Sequence, residues 1–253
     1  MLELNRIHCG DNCDLLGKMP RESVDLVVTS PPYDDLRTYG GHSWDFFGVA
    51  WHLKRVLKPG GVIVWVVADA TKDGSETGSS MEQALHFKRL GLNLHDTMIW
   101  LKTGQGACGS VNAYWQNWEY CFVLTNGKPR VFNPIEDRKN ASTGMMTAPS
   151  GKGKDGVWKY SREIEAKEYG RRFNHWTVAA QSNPAHPAPF PDELAAAHIA
   201  SWSNPGDLVL DPFSGSGTTA KAAKTLGRQF IGLEVNPEYC AIAEQRLAQE
   251  VLA

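Results

Sequence analysis

The chain has 253 residues, 42% of them hydrophobic and 21% charged, with a formal net charge of -2. That is long enough for one well-buried core and short for two large domains, so one domain carrying an insertion is expected. The near-neutral balance excludes a bulk-basic polyanion binder, and any nucleic-acid face must come from local clustering of charge.

Along the chain, Arg6 to Asn12 is the first organised stretch, followed by a predicted short helix from Cys13 to Met19. Val24-Asp25-Leu26-Val27-Val28 is a short apolar strand, which Pro31-Pro32 prevents from continuing in a sheet. The segment Trp51 to Leu57 reads as a helix, Lys58-Pro59-Gly60-Gly61 as a turn and Val62 to Val67 as a buried strand, together an αβ repeat. Two further strands are expected at Thr97–Leu101 and Tyr120–Leu124, paired near one edge.

From about Pro134 to Val178 the character changes, and 134–178 is expected to be an insertion within the single domain 1–253. Residues 128 to 172 hold eleven basic and six acidic side chains, a local +5 on an otherwise slightly negative chain. Trp158, Tyr160, Tyr169, Phe173 and Trp176 interleave with those charges, a pattern suited to phosphate contact and base stacking. Lys152, Lys154, Arg171 and Arg172 are the candidate DNA contacts here; a solvated surface insertion is the plainer reading of the segment alone.

After Asn183 to Pro191 an amphipathic helix follows, with Leu194, His198 and Ile199 on one side. Leu208–Asp211 is then a strand, Thr219–Leu226 a helix, Gln229–Glu234 a strand and Pro237–Leu252 a closing helix. Strand, glycine-rich turn, helix and strand make a βαβ unit.

Two segments carry the chemistry. In Asp211-Pro212-Phe213-Ser214-Gly215-Ser216-Gly217-Thr218-Thr219 the glycines let the backbone turn tightly against a ligand at a helix N-terminus. Glu234 ends the next strand, where a carboxylate accepts bonds from a ribose diol. A dinucleotide site would want Gly-x-Gly-x-x-Gly; Ala220 in the third position is permitted by the degenerate form, so glycine spacing alone decides little. The second segment is Ser30-Pro31-Pro32-Tyr33. Ser30 Oγ and the Pro31 carbonyl can each accept one hydrogen of an exocyclic amine and so aim its lone pair, the prolines bring no competing donors, and Tyr33 offers a stacking face. In an open α/β sheet both segments face one crevice. A nucleotide-like cofactor beside a planar amine is the arrangement of a methyl-transfer site.

In these motifs and their order the sequence resembles the S-adenosylmethionine-dependent DNA amino-methyltransferases of the β class. Ser-Pro-Pro-Tyr comes first, the recognition insertion next, and Phe-x-Gly-x-Gly near the C-terminus. Ile7 to Asn12, Leu57 to Gly61 and His186 to Pro191 resemble the family's lesser motifs, so the likeness spans almost the whole chain. The resemblance implies a three-layer, doubly wound α/β domain with a mostly parallel, Rossmann-like sheet. It places Asp11 and Asn12 near the cofactor adenine, Asp211, Phe213, Ser214, Gly215, Gly217 and Thr218 around S-adenosylmethionine, Glu234 on the ribose, and His186 and Pro187 toward the methionine end. It further implies methyl transfer to a base flipped out of double-stranded DNA. Serine in the first position of Ser30-Pro31-Pro32-Tyr33 favours cytosine N4 over adenine N6, although relatives with that motif can methylate adenine.

Ser30 is no strong base, so Asp34 or Asp35 is either the proton acceptor or a turn carboxylate. Arg37 lies in a connector that could touch DNA. An RNA or other amine methyltransferase, or a nucleic-acid-binding module with a decayed site, are the alternatives. A homodimer and a cognate restriction enzyme follow from the family alone. Five cysteines without a Cys-x-x-Cys pair, and no signal peptide or long apolar span, fit a cytoplasmic protein without membrane association. Beside His8, Cys9 and Cys13 no second ligand pair stands at metal spacing, so no metal site is expected.

Overall fold

The computed structural model describes residues 2–32, 44–103, 112–181 and 191–249. Within them the chain divides into two units, one formed by 2–133 with 174–249, the other by Pro134–Phe173.

In chain order the first unit contains β1 (Arg6–Cys9), α1 (Asn12–Gly17), β2 (Val24–Thr29), α2 (Phe46–Val56) and β3 (Leu57–Val67). The short pair β4 (Thr71–Lys72) and β5 (Ser75–Glu76), α3 (Ser79–Arg89), β6 (Asn93–Thr103) and β7 (Trp118–Thr125) follow. The second unit then contributes β8 (Arg138–Lys139), β9 (Gly144–Lys152), β10 (Trp158–Ala166) and β11 (Tyr169–Gly170). The first resumes with β12 (His175–Ala179), α4 (Asp192–Trp202), β13 (Leu208–Asp211), α5 (Thr218–Thr225), β14 (Gln229–Glu234) and α6 (Pro237–Ala248).

Eight strands form one sheet in the order β1-β14-β13-β2-β3-β7-β6-β12, and only β7 runs against its neighbours. The expected pairing of 97–101 with 120–124 is this β6–β7 ladder, which is antiparallel with Ile99 opposite Tyr120. Burial alternates along the central strands. Ile63, Trp65, Val67, Leu210, Ile231 and Leu233 join the core packed by α1, α2 and α3. Val62, Val64, Val66, Val209 and Phe230 are equally buried but face the other side, where α4, α5 and α6 pack on one another. Strands covered on both faces must be apolar throughout, which is why β2 and the second half of β3 read as continuous hydrophobic runs.

Two details depart from the sequence reading. Lys58-Pro59-Gly60-Gly61 is no separate turn: α2 starts earlier, at Phe46, and passes directly into β3. Gly60, at φ +76°, absorbs the irregularity while its N–H donates to Asn126 O at 2.6 Å. The stretch 134–178 is also divided. Residues 175–179 are β12, in parallel register with Ile99–Thr103, and Trp176 and Val178 are buried there.

The second unit is built from two antiparallel pairs. β8 pairs with β11, and β9 with β10 from Gly144 opposite Ala166 to Lys152 opposite Trp158, with a bulge at Tyr160. Arg172 holds Asp137 through a two-nitrogen fork, and Lys167 pairs with Glu136 at 3.0 Å.

Candidate active site

β2 feeds α2 and β3 on one side of the sheet, whereas β13 feeds α5 and β14 in the opposite direction on the other face. The strand order therefore reverses between β13 and β2, and a crevice opens beyond their C-terminal ends. The loops leaving β1, β2, β13 and β14 meet at this edge, so the two motifs far apart in sequence become neighbours.

Their contact is a specific one. Thr29, the last residue of β2, donates its hydroxyl to Asp211 Oδ1 at 2.7 Å, and the Phe213 N–H donates to the same oxygen at 3.0 Å. Thr219 Oγ1, in the first turn of α5, adds a bond to Val28 O at 3.3 Å. Burial pushes the Asp211 carboxyl up to about 6; the bonds from Thr29 and Phe213 pull it down, and the negative Glu234 adds to the rise. Ser30, Pro31 and Pro32 follow Thr29 directly, with Pro31 buried and the other two half-buried.

Glu234 closes β14 half-buried, its carboxylate held by two backbone donors, Gly215 N–H to Oε2 at 2.8 Å and Asn236 N–H to Oε1 at 2.9 Å. Each oxygen keeps a lone pair for a further donor. On the adjacent loop Asp11 caps α1, accepting from Asp14 N–H at 3.0 Å, and Asn12 Nδ2 reaches Pro212 O at 3.5 Å. Phe213 is half-buried, its ring edge-on to Trp44 at 4.8 Å. A turned glycine backbone, an oriented carboxylate for a diol and an aromatic wall fit the nucleoside half of S-adenosylmethionine.

Two assignments change in detail. Ser214 turns its side chain inward against Gly232, where an added Cβ would lie 2.6 Å from Ser214 Oγ. Its hydroxyl is buried without a hydrogen-bond partner among the described residues, so only its backbone is available to line the turn. Gly217 has φ +81°, and a Cβ there would stand 2.9 Å from Ala243 Cβ. The packing of helix α6 by itself demands glycine at 217.

Sequence reasoning missed the residues that brace the turn from behind. Arg246 of α6 donates through Nη1 to Ser216 O at 2.8 Å, Ser216 Oγ at 2.9 Å and Thr218 Oγ1 at 3.4 Å, and through Nη2 to Asp192 at 3.3 Å. Lys221 also holds Asp192, at 2.9 Å. Asp192 and Arg246 had no local signal, and Thr29 and Thr219 stand at the edges of the two motifs with bonds that only the fold assembles. Tyr33, Asp34, Asp35, Arg37, His186 and Pro187 lie outside the described residues.

In the second unit Lys152, Lys154 and Arg171 are exposed, and Lys152 Nζ stands 5.3 Å over the Trp158 ring. Arg172 is committed to Asp137, whose carboxyl it holds below the usual range, so it is a brace for this unit and a poor candidate for a phosphate ligand. Trp176 likewise leaves the expected aromatic set, because it is buried and stacked on His198 at 4.5 Å. Burial pushes the His198 imidazole down to about 3, which keeps it neutral.

Residues 24–245 match the model of a DNA methylase family, that of the N6 and N4 methyltransferases. The orphan methyltransferase M.BamHII of Bacillus amyloliquefaciens is 47% identical over 241 residues, 91% of each chain. TTHA0409 of Thermus thermophilus, in complex with S-adenosyl-L-methionine, superposes with a TM-score of 0.65 at 28% identity, covering 98% of this chain and 96% of that one. The cytosine-N4-specific PvuII DNA methyltransferase shares the fold, with a TM-score of 0.68 at 21% identity over 98% of this chain and 87% of its own.

Proposed function

The chain belongs to the N6/N4 DNA methylase family, and from that premise we propose that it methylates the exocyclic N4 amine of cytosine at a specific site in double-stranded DNA. It is a DNA methyltransferase and uses S-adenosylmethionine. Among the described residues no helix is long and apolar enough to cross a membrane.

The observation that carries the proposal is the Thr29–Asp211 bond. It ties the strand that delivers Ser30-Pro31-Pro32 to the strand that delivers the glycine turn, so amine-holding and cofactor-holding groups share one rigid edge. Bound S-adenosylmethionine supplies a methyl group activated on a sulfonium. Glu234 would hold the ribose hydroxyls, with Asp11, Asn12 and Phe213 around the adenine. The backbone of Asp211 to Thr218 would line the rest, with His186 and Pro187 toward the methionine end.

Ser30 Oγ and the Pro31 carbonyl would each accept one amine hydrogen, drawing the lone pair out of conjugation with the ring and directing it for attack. Tyr33 would stack on the base, which must leave the duplex to reach the crevice. Serine where an aspartate would make a stronger acceptor supports the less basic task at cytosine N4. Ser30 is too weak a base to take the proton released, which leaves that task to a carboxylate such as Asp34 or Asp35. Lys152, Lys154 and Arg171 would contact the DNA backbone, and Arg37 the region of the flipped base.

The test is incubation with unmethylated genomic DNA and methyl-labelled S-adenosylmethionine, then nucleoside digestion and mass spectrometry. Labelled N4-methylcytosine is the expected product. N6-methyladenine would keep the family and overturn the reading of Ser30, and an unlabelled digest from a protein that binds the cofactor would direct the search to RNA or another amine.

A further inference from the structure

The β9–β10 ribbon pairs with no other strand among the described residues. Its strands have nine residues each, a reach of roughly 30 Å, and a two-stranded ribbon is narrow enough to enter the major groove of B-DNA. The tip is built before any partner arrives. Gly153 N–H donates to Val157 O at 2.8 Å, Gly156 N–H to Gly153 O at 2.9 Å, and Val157 N–H to Asp155 Oδ1 at 3.1 Å, with Gly156 at φ +77°. This fixed tip holds Val157 and Trp158 in water, 61% and 52% exposed. Residues 152–159 carry three lysines, Lys152, Lys154 and Lys159, with Lys152 Nζ over the Trp158 ring, against a single carboxylate, Asp155, which is engaged by the tip's own amide. Exposed apolar surface on a preorganised, cationic loop calls for a partner that is both anionic and flat-faced, and nucleic acid offers phosphates and base faces together.

We propose that the β9–β10 tip is a wedge that enters the DNA duplex, with Trp158 stacking on a base and Lys152 and Lys154 gripping flanking phosphates. The inference rests on duplex DNA being the substrate. It gives the ribbon a task beyond adhesion, namely to occupy space in the stack when a base leaves it.

A wedge has a signature that a passive contact lacks: its removal hurts most where the target base is still paired, because opening the pair is the step it assists. The full-length protein is assayed on a synthetic duplex carrying its own site, mapped on the genomic DNA it modifies, and on the same duplex with the target base mismatched. Trp158→Ala should lower kcat/KM by about tenfold or more on the paired duplex and by no more than about threefold on the mismatched one, and Trp158→Phe should restore most of the loss. Lys154→Ala should weaken both duplexes equally and reduce the slope of log affinity against log salt by about 1. Unchanged cofactor binding by Trp158→Ala verifies that the protein remains folded. Equal losses on both duplexes, or none, would overturn the wedge while leaving the enzyme a DNA methyltransferase. A wild-type protein that binds cofactor yet labels no DNA would instead remove the substrate reading and the wedge with it.

Discussion

Replacing Thr29 by valine keeps the shape of a fully buried side chain and deletes one hydrogen bond, the 2.7 Å contact to Asp211. With the Asp211 carboxyl pushed up to about 6, it is ionised at pH 8 and about nine-tenths protonated at pH 5. A hydrogen bond to a charged group contributes about 1.5–3 kcal/mol and one to a neutral group about 0.5–1.5 kcal/mol. Thr29→Val should therefore cost about 2 kcal/mol at pH 8 and about 1 kcal/mol at pH 5.

Linkage gives the same sign. A carboxyl whose folded value is raised contributes stability that is fully present below its unfolded value and is lost as pH rises through the folded one. Removing Thr29, which pulls Asp211 down, raises that value further and deepens the loss; a difference of about 1 kcal/mol corresponds to about 0.7 of a pH unit. Urea denaturation of both proteins at the two pH values, followed by tryptophan fluorescence, measures it. A penalty that is equal at both, or larger at pH 5, would refute a charged Asp211 as the partner of Thr29.

Three further outcomes are expected. Gly217→Ala should destabilise the fold by about 1–3 kcal/mol, because a Cβ at φ +81° is strained and strikes Ala243, and Ala243→Gly in the same chain should recover part of it in a thermal melt. Arg246→Gln should raise KM for S-adenosylmethionine by roughly tenfold with kcat nearly unchanged, since it loosens the turn without touching Ser30; a fall in kcat at constant KM would contradict that division. Ser30→Ala should reduce transfer by about two to three orders of magnitude while calorimetry finds the cofactor bound as before, and normal turnover would remove Ser30 from the site.

What the sequence revealed depended on how local each cause is. The βαβ unit from Leu208 to Glu234 was legible because glycines at a turn and an apolar run on either side state their structure within a few residues. Helix α3 was missed: Ser79–Arg89 buries only Ser80, Ala84 and Phe87, too thin an apolar stripe to stand out among polar neighbours. Strand β12 alternates exposed and buried over five residues, a pattern that the flanking arginines and aromatics obscured. Of the candidate site, Ser30, Gly215 and Glu234 were named from local motifs. Arg246 was not, because its partners at 216, 218 and 192 become neighbours only when α6 folds back over the turn.

The seams of the Pro134–Phe173 unit lie at two asparagines that remain with the main sheet. Asn133 is bound through its backbone to Ser201 O and through its amide to Ala200 O and Ser203 O, while Asn174 donates to Asp96 and its carbonyl receives Ile99 N–H. Such anchors make the forty intervening residues an exchangeable cassette: the ends are moored independently of whatever is carried between them. A graft from a relative cut at 133/134 and 173/174 preserves both moorings, whereas one cut after Val178 would replace a strand of the host sheet and the Trp176–His198 stack with it. A graft so cut changes only what is carried between the two asparagines and leaves the strand ends that bear Ser30 and Glu234 as they are.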